Sequence, residues 1–203
     1  TKVLCQIDNV EPHEHHLTDK PFNRYYLHSV DGFVYMSEQV HSELRAYSDA
    51  PALFSPHPLF ENFGERVERS EACVRLGLDP ANRYVLFFGL IRDYKGLDLL
   101  LDAWAQLRRA GRTEGRRLIV AGGFYPAREP YLNRIADNGL QDEVLLHDRF
   151  IPDDDVKYYF SAADFVVQPY KTATQSGVTQ IAYQFCVPMV VTKVGGLAEI
   201  VPD

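Results

Sequence analysis

The chain has 203 residues, of which 46% are hydrophobic and 24% are charged, enough for one large domain or two small ones. Its formal net charge of -7 argues against a general nucleic-acid binder and against a strongly basic membrane anchor. The apolar runs all fall short of the roughly 20 residues that a membrane-spanning helix needs.

The cysteine pattern bears on the compartment. Cys5, Cys73 and Cys186 are odd in number and widely spaced, and their flanks are apolar. No disulfide framework or zinc pattern fits them, so we expect buried, reduced thiols. The expected location is the cytoplasm, with the inner face of the membrane as an alternative.

Residues 1–62 predict a small, incomplete α/β domain. In chain order its predicted elements are a strand (2–8), a helix (20–30), a strand (31–37), a helix (38–48) and an extended segment (52–58). Three strands are too few to close a doubly wound sheet. A connector with a short helix follows over 60–82, and we place the domain boundary near residue 62.

From residue 83 onward, strands and helices alternate with short connections. The predicted strands are 83–91, 116–123, 143–150, 164–170 and 188–194, and the predicted helices are 97–111, 129–139, 153–164 and 176–187, with another beginning in GGLAEIV. In the first of these helices, Leu97, Leu100, Leu101, Trp104 and Leu107 recur at the spacing of one helix face. The alternation predicts a doubly wound parallel sheet over 63–203, with ligands at the carboxyl ends of its strands.

The stretch GLIRDYKG (89–96) is the first candidate site. Gly89 ends a buried strand, where a side chain would keep a ligand from the backbone. Arg92 and Lys95 follow just before a helix, whose N-terminus offers free N–H groups and partial positive charge. Two cations there suit a diphosphate, since each charge-assisted hydrogen bond contributes roughly 1.5–3 kcal/mol. The alternative is a solvated turn in which Asp93 pairs with Arg92.

A second candidate is YKTATQSGVTQ (170–180), a polar loop that follows the fourth strand of this sheet. Ser176 is a natural N-cap for the next helix, and Gly177 would let a phosphate approach the amides of the first turn. The alternative is a helix cap with no ligand. The loop is predicted to emerge from the same sheet edge as GLIRDYKG, which favours an anion site.

The stretch VTKVGGLAEI (191–200) contributes a third glycine turn at that edge, Gly195-Gly196. Glu199 is either a ligand contact or an acidic residue in the first turn of its own helix, where it opposes the helix dipole.

The loop DNVEPHEHH (8–16) concentrates His13, His15 and His16 with two glutamates. The spacing fits no tetrahedral metal motif, so we expect no metal. One histidine that acts on a substrate is one interpretation, and a solvated loop is the other.

The ordered set of segments resembles the retaining glycosyltransferases of the GT-B fold, family 4 (glycosyl transferases group 1). The segments are FGLIRDYKGLDLLLDAW, LIVAGG, HDRFIPDDDVKYYFSAADFVVQPY, TQSGVTQIAY and PMVVTKVGGLAEIV, which cover residues 83–203 densely. DNVEPHE and HSVDGFVYMSEQV resemble the end of the family's N-terminal domain more loosely. The resemblance implies a C-terminal donor-binding domain over 63–203 and a remnant of the acceptor-side Rossmann-like domain over 1–62.

The resemblance also implies roles for individual residues. Arg92 and Lys95 would be the basic pair on the donor diphosphate, and His13 would lie near the acceptor or the transferred sugar. The other expected contacts with the nucleotide sugar are Gly89, Phe150, Ile151, Thr174, Gln175, Ser176, Gly177 and Glu199. Phe150 and Ile151 would face the nucleotide base through their backbone.

Three positions depart from the family pattern. Members often carry two glutamates eight positions apart around the strand-four loop, and the corresponding residues here are Ala173 and Ile181. The ribose contact through the second carboxylate would then be missing, with Gln175 or Gln180 as substitutes. The arginine of GLIRDYKG also comes three residues after Gly89, where many members have it one residue after.

The implied activity is transfer of a sugar from a nucleoside diphosphate sugar to a glycan or lipid-linked hydroxyl acceptor, with retention, in bacterial polysaccharide or glycolipid synthesis. No cofactor or metal and no nucleic acid are expected to take part. The alternatives are a non-catalytic nucleotide-binding module, an inactive piece of such an enzyme, or an interaction domain. The strand-like start and helix-like end predict an interior piece of a longer protein, with self-association or peripheral membrane binding through further segments.

Overall fold

The computed structural model describes residues 1–11, 19–125 and 127–201. The strands are β1 (Leu4–Ile7), β2 (Gly32–Tyr35), β3 (Ala52–Phe54), β4 (Arg83–Phe88), β5 (Arg116–Ala121), β6 (Val144–His147), β7 (Phe165–Gln168) and β8 (Met189–Val191). The helices are α1 (Asp19–His28), α2 (Glu38–Leu44), α3 (Arg69–Leu76), α4 (Leu97–Arg109), α5 (Glu129–Asp137), α6 (Asp153–Ala162), α7 (Gly177–Gln184) and α8 (Gly195–Ile200). This is the predicted order, and a short 3-10 turn (Asp93–Lys95) precedes α4.

The chain divides into two compact units. The first comprises Thr1–Pro58, Thr172–Gly177 and Lys193–Asp203, and the second comprises Leu59–Lys171 and Val178–Thr192. The sequence places one boundary near residue 62. The structure also groups two later segments with the first unit, which a single cut along the chain does not anticipate.

The first unit contains a three-stranded parallel sheet in the order β1-β2-β3. Alternate residues of these strands, among them Ile7, Phe33 and Tyr35, enter a small core together with Leu27 and Val40 from the helices. The period of two in the strands and the apolar stripe of each helix account for this packing.

The second unit is built on a five-stranded parallel sheet in the order β6-β5-β4-β7-β8, as the alternation predicted. The strands are short apolar runs, and their two faces enter two separate cores. Consecutive strands run outward from β4 in one direction through β5 and in the other through β7. The carboxyl ends of β4 and β7 therefore meet at a topological switch point, where ligands of such sheets bind.

Helix α4 covers one face of this sheet with four of the five residues that its spacing indicated. Leu97, Leu100, Leu101 and Trp104 are buried, and the indole N–H of Trp104 donates to Glu143 at 2.8 Å. Leu107 is exposed, contrary to the prediction, because it lies in the last turn before the helix ends at Arg109.

The three cysteines are free thiols, as predicted, but they are not all buried. Cys73 is buried and Cys5 is partly buried, whereas Cys186 is exposed. Cys186 has a φ of 51° in the turn after α7, so it points outward while its apolar neighbours Phe185 and Val187 point inward. Within the described part of the chain, no helix is both long and apolar enough to cross a bilayer.

The turns after β4 and β5 are held together by close backbone contact. Gly122 has a φ of 143°, and a Cβ built on it would lie 2.1 Å from the carbonyl oxygen of Gly89. The Ile91 N–H donates to Gly123 at 2.9 Å, and the Tyr125 N–H donates back to Ile91 at 2.9 Å. Pairing therefore continues past the ends of the two strands.

We expect Gly122→Ala to lower the free energy of unfolding by about 2–4 kcal/mol, because the new methyl group meets a backbone oxygen and the backbone is strained. Gly123→Ala is the matched control, since a Cβ there meets no atom within 4 Å. Urea denaturation of both variants measures the difference. Equal stability of the two would contradict the close approach of these turns.

Candidate functional site

The turn Asp93–Lys95 lies at the carboxyl end of β4, in the second unit. It ends at Gly96, whose φ is 70° and whose Cβ would lie 2.0 Å from the Pro169 carbonyl oxygen. The Lys171 N–H donates to the Tyr94 carbonyl at 2.7 Å. The turn is therefore fixed against the segment that follows β7, as expected for two neighbouring strands at a switch point.

Lys95 is a partly buried cation in this turn. Its ammonium lies 3.2 Å from the position that a Cβ would occupy at Gly89, and 5.8 Å from the ring centroid of Tyr170. Gly89, which has a φ of 96°, thus leaves room for Lys95. Burial, together with the charge of Arg92, lowers the pKa of Lys95 from 10.5 to about 8.

Within the described residues, no carboxylate lies within ion-pair distance of the Lys95 ammonium. The two neighbouring acids are engaged elsewhere, since Lys171 pairs with Asp93 at 2.9 Å and with Asp98 at 3.0 Å. Burial acts to lower the pKa of Lys171, but the hydrogen bonds and charges of both carboxylates raise it overall. Lys171 therefore draws the negative charge of this turn away from Lys95.

Arg92 precedes the turn and lies against an aromatic ring. Its guanidinium carbon is 4.4 Å from the ring centroid of Tyr125. Arg92 and Lys95 are three positions apart in one short stretch, and the charge of Arg92 adds to burial in lowering the pKa of Lys95. The geometry brings together the two basic residues that the sequence paired.

An apolar pocket of about 200 Å³ lies beside this turn, at the carboxyl ends of β4, β5 and β6. It is lined by Phe88, Gly89, Leu90, Gly122, Gly123, Phe150 and Ile151. Phe150 is 81% exposed and Ile151 is buried, so the first forms an open wall and the second part of the floor. The structure thus brings three of the sequence-predicted residues, Gly89, Phe150 and Ile151, to one pocket.

The remaining predicted contacts belong to the first unit. Thr174 is buried, and its hydroxyl donates to the side-chain oxygen of Asn9. The Oε1 atom of Gln175 is buried and has no hydrogen-bond partner within the described residues. Ser176 is also buried, and α7 begins at Gly177, directly after it.

The Gly195-Gly196 turn has a packing reason. A Cβ on Gly195 would lie 1.8 Å from the Ala173 carbonyl oxygen, and a Cβ on Gly196 would lie 1.8 Å from that of Thr174. These glycines let α8 approach the 172–177 segment within the first unit.

Glu199, the acidic residue of that helix, caps another helix. Its carboxylate accepts from the Glu38 N–H at 3.0 Å and from the Gln39 N–H at 3.3 Å, at the start of α2. An anion at a helix N-terminus is favourable, and the side chain of Ser37 caps the same end. The structure shows this capping contact, and a contact of Glu199 with a ligand stays a prediction.

His13 lies outside the described residues, as do His15 and His16. Glu11, at the start of that loop, accepts a hydrogen bond from the hydroxyl of Tyr47 at 2.8 Å.

Sequence reasoning did not single out Tyr125, Tyr170 or Lys171 in the second unit. Tyr170 and Lys171 stand in the sequence only as the beginning of a polar loop. Tyr125 had an available signal, since it is an aromatic residue shortly after a glycine pair and a predicted strand.

A family model described as glycosyl transferases group 1 matches residues 82–203, more than half of the chain. The chain belongs to this family. The D-inositol 3-phosphate glycosyltransferase of Segniliparus rotundus is 36% identical over 140 residues, which are 67% of this chain and 30% of that protein. The lipopolysaccharide core biosynthesis mannosyltransferase LpsB of Rhizobium meliloti is 35% identical over 164 residues, 77% of this chain and 44% of that protein.

Two solved structures share the fold of this chain. Sucrose-phosphate synthase of Thermosynechococcus elongatus has a TM-score of 0.82 at 22% identity, with 97% of this chain and 51% of that chain covered. Anabaena HepE in complex with UDP and glucose has a TM-score of 0.80 at 18% identity, with 100% of this chain and 55% of that chain covered. The fold is the predicted Rossmann-like α/β GT-B fold. The chain spans 30% and 44% of the two curated relatives and about half of these two structures.

We expect Lys95→Met to raise the free energy of unfolding of the ligand-free protein by up to about 3 kcal/mol at pH 7. The folded protein binds the Lys95 proton more weakly than the unfolded chain does, so the ammonium costs stability below about pH 8. This cost disappears as the pH rises from about 8 towards 10.5, because the lysine becomes neutral in the folded state.

Urea denaturation at pH 7 and near pH 9.5 checks this prediction, with Lys157→Met on α6 as the control. The gain of Lys95→Met should shrink at the higher pH, and the control should show no gain at either. A Lys95→Met protein less stable than the parent at pH 7 would contradict the assigned environment.

Proposed function

We propose that this protein transfers a glycosyl group from a nucleoside diphosphate sugar to a hydroxyl acceptor, with retention of configuration, as a family 4 enzyme of bacterial polysaccharide or glycolipid synthesis. The observation that carries the proposal is the Arg92–Lys95 pair beside the apolar pocket at the carboxyl end of β4. Family membership and the names of the curated relatives support the same activity.

The basic pair suits a diphosphate on physical grounds. Burial and, after it, repulsion from Arg92 lower the pKa of Lys95, so its ammonium is unfavourable in the ligand-free turn. An anion with two phosphoryl groups removes this repulsion and accepts hydrogen bonds from both side chains. The charge that develops on the leaving diphosphate during transfer would be stabilised by the same groups, which are held in place before the reaction.

The apolar pocket suits a nucleotide base. It adjoins the basic pair through Gly89, which lines the pocket and also lies beside the Lys95 ammonium. A base there would lie against Phe150 and near the backbone of Ile151. HepE, which shares the fold, was solved in complex with UDP and glucose, so we propose UDP-sugars as the first donors to test.

We also propose that the donor binds without a metal ion, since Arg92 and Lys95 supply the positive charge. His13 and the 174–177 segment are proposed to contact the sugar or the acceptor, and the acceptor is proposed to be a glycan or a lipid-linked hydroxyl. Gln175 is favoured over Gln180 as the substitute for a missing glutamate, because its buried Oε1 atom has no partner within the described residues.

A second candidate is a nucleotide-binding module without turnover. The observation that favours it is the pair of apolar residues at the family's glutamate positions. Ala173 and Ile181 have hydrocarbon side chains, so neither offers a carboxylate to a ribose or a sugar. Both side chains are also buried, with exposures of 1% and 6%. This candidate shares the donor site with the first and differs from it only in turnover.

Donor binding tests both candidates. We expect Lys95→Ala to weaken the binding of UDP-glucose by about 10- to 100-fold, because one charge-assisted hydrogen bond is lost. Isothermal titration calorimetry in the presence of EDTA measures it, with GDP-mannose as the other donor and Lys157→Ala as the control. Unchanged affinity in Lys95→Ala would overturn the diphosphate site.

Turnover separates the two candidates. Release of nucleoside diphosphate from the donor, measured on the protein at its natural full length, is expected to fall with the affinity in Lys95→Ala. Binding without any release, with or without added glycan acceptors, would favour the binding module.

The affinity for UDP-glucose is also expected to depend on pH. Lys95 is protonated below about pH 8 in the free protein, so binding is constant near pH 7 and weakens by up to about tenfold per pH unit above 8. Lys95→Arg keeps its charge and should show a flat profile over the same range. A parent protein with a flat profile up to pH 9 would contradict a role for the Lys95 ammonium.

A further inference from the structure

The Arg92 guanidinium lies over the face of Tyr125, with its central carbon 4.4 Å from the ring centroid. A ring face carries partial negative charge, so it attracts a cation, and stacking on that face uses none of the guanidinium N–H donors. The Tyr125 side chain is 52% exposed, so its ring does not belong to the hydrophobic core of the unit. Core packing therefore does not account for the position of this ring.

The backbone under the ring is fixed relative to the backbone of Arg92. The Tyr125 N–H donates to the carbonyl of Ile91, the residue directly before Arg92, at 2.9 Å. Ile91 also forms a parallel bridge with Phe124. The close approach of Gly122 to Gly89 brings these two turns together. The ring and the guanidinium thus start from two backbone segments that are hydrogen-bonded to each other.

The stack offsets an electrostatic and an entropic cost of placing Arg92 near Lys95. Arg92 and Lys95 repel each other before an anion arrives, and an arginine side chain loses rotamer entropy when it binds a ligand. This repulsion favours Arg92 rotamers that place the guanidinium farther from Lys95. A ring that holds the guanidinium in place removes most of that cost before the ligand binds.

We infer that Tyr125 is a positioning residue, whose ring holds the Arg92 guanidinium beside Lys95 so that the two cations bind one diphosphate together. This role rests on the proposed function, since it presumes that Arg92 and Lys95 bind the donor. Tyr125 acts through Arg92 and not through a contact of its own with the nucleotide.

A double-mutant cycle tests this role, with UDP as the ligand and calorimetry as the measurement. Tyr125→Leu is expected to weaken UDP binding about three- to tenfold, with the melting temperature unchanged. Tyr125→Phe keeps the ring face and should bind within about twofold of the parent. In an Arg92→Ala background, Tyr125→Leu should change the affinity by less than about twofold, because the group that it positions is gone.

The chain offers a matched control in Tyr158 on α6, whose ring lies 5.6 Å from the guanidinium carbon of Arg75. Tyr158→Leu removes a second arginine–tyrosine stack and should leave UDP binding within about twofold. The same loss in Tyr158→Leu as in Tyr125→Leu would overturn the inference, since it would reflect a general effect on stability. A loss in Tyr125→Leu that persists in the Arg92→Ala background would also overturn it, because the ring would then contact the nucleotide directly.

The failure of this inference can be told from the failure of the proposed function. If Arg92→Ala and Lys95→Ala weaken UDP binding while Tyr125→Leu does not, only the positioning role is wrong. If neither Arg92→Ala nor Lys95→Ala weakens binding, the diphosphate site is wrong and the positioning role is lost with it.

Discussion

The burial of the Lys95 ammonium beside the like charge of Arg92 is the constraint on which the rest of the candidate site depends. Burial and the neighbouring arginine together lower the pKa of Lys95 to about 8, so the ligand-free protein holds an ammonium in an unfavourable place. Gly89 makes room for Lys95, and Gly96 lets the turn pack against the carbonyl of Pro169. These close approaches need glycine at both positions, and they fix the turn that carries Lys95.

A third cation, Lys171, forms ion pairs with the acidic residues near the turn. Lys171 pairs with both Asp93 and Asp98, and its own pKa is raised overall by these contacts. Without it, Asp93 would lie two residues from Lys95 with an uncompensated carboxylate. The turn thus separates its charges, with the negative ones tied to the segment after β7 and the Lys95 ammonium kept apart from them. A carboxylate paired with Lys95 would favour the charged form of this lysine, and Asp93 is instead paired with Lys171.

The sheet and the order of its elements could be predicted from the sequence, because the hydrophobic period, the length of each apolar run and the turn residues are all features of short segments. The apolar runs over 83–88 and 116–121 and the four buried positions of α4 needed no tertiary knowledge. Exposure at single positions was less predictable. Cys186 has apolar neighbours in sequence, yet its left-handed backbone turns it outward. Leu107 has the spacing of the buried face, yet the helix ends beside it.

The candidate site shows the same division between local and distant information. Arg92 and Lys95 stand in one short stretch that the sequence displays directly, whereas Tyr125 meets Arg92 only because β5 pairs with β4 and both turns continue that pairing. Glu199 reaches the amides of Glu38 and Gln39 from about 160 positions away in the chain, which no local pattern encodes. Contacts with residues far away in the chain, such as those of Glu199, decide how much of a charged group is left for a ligand. A motif therefore identifies candidate residues, and the contacts of those residues decide which of them can bind a substrate.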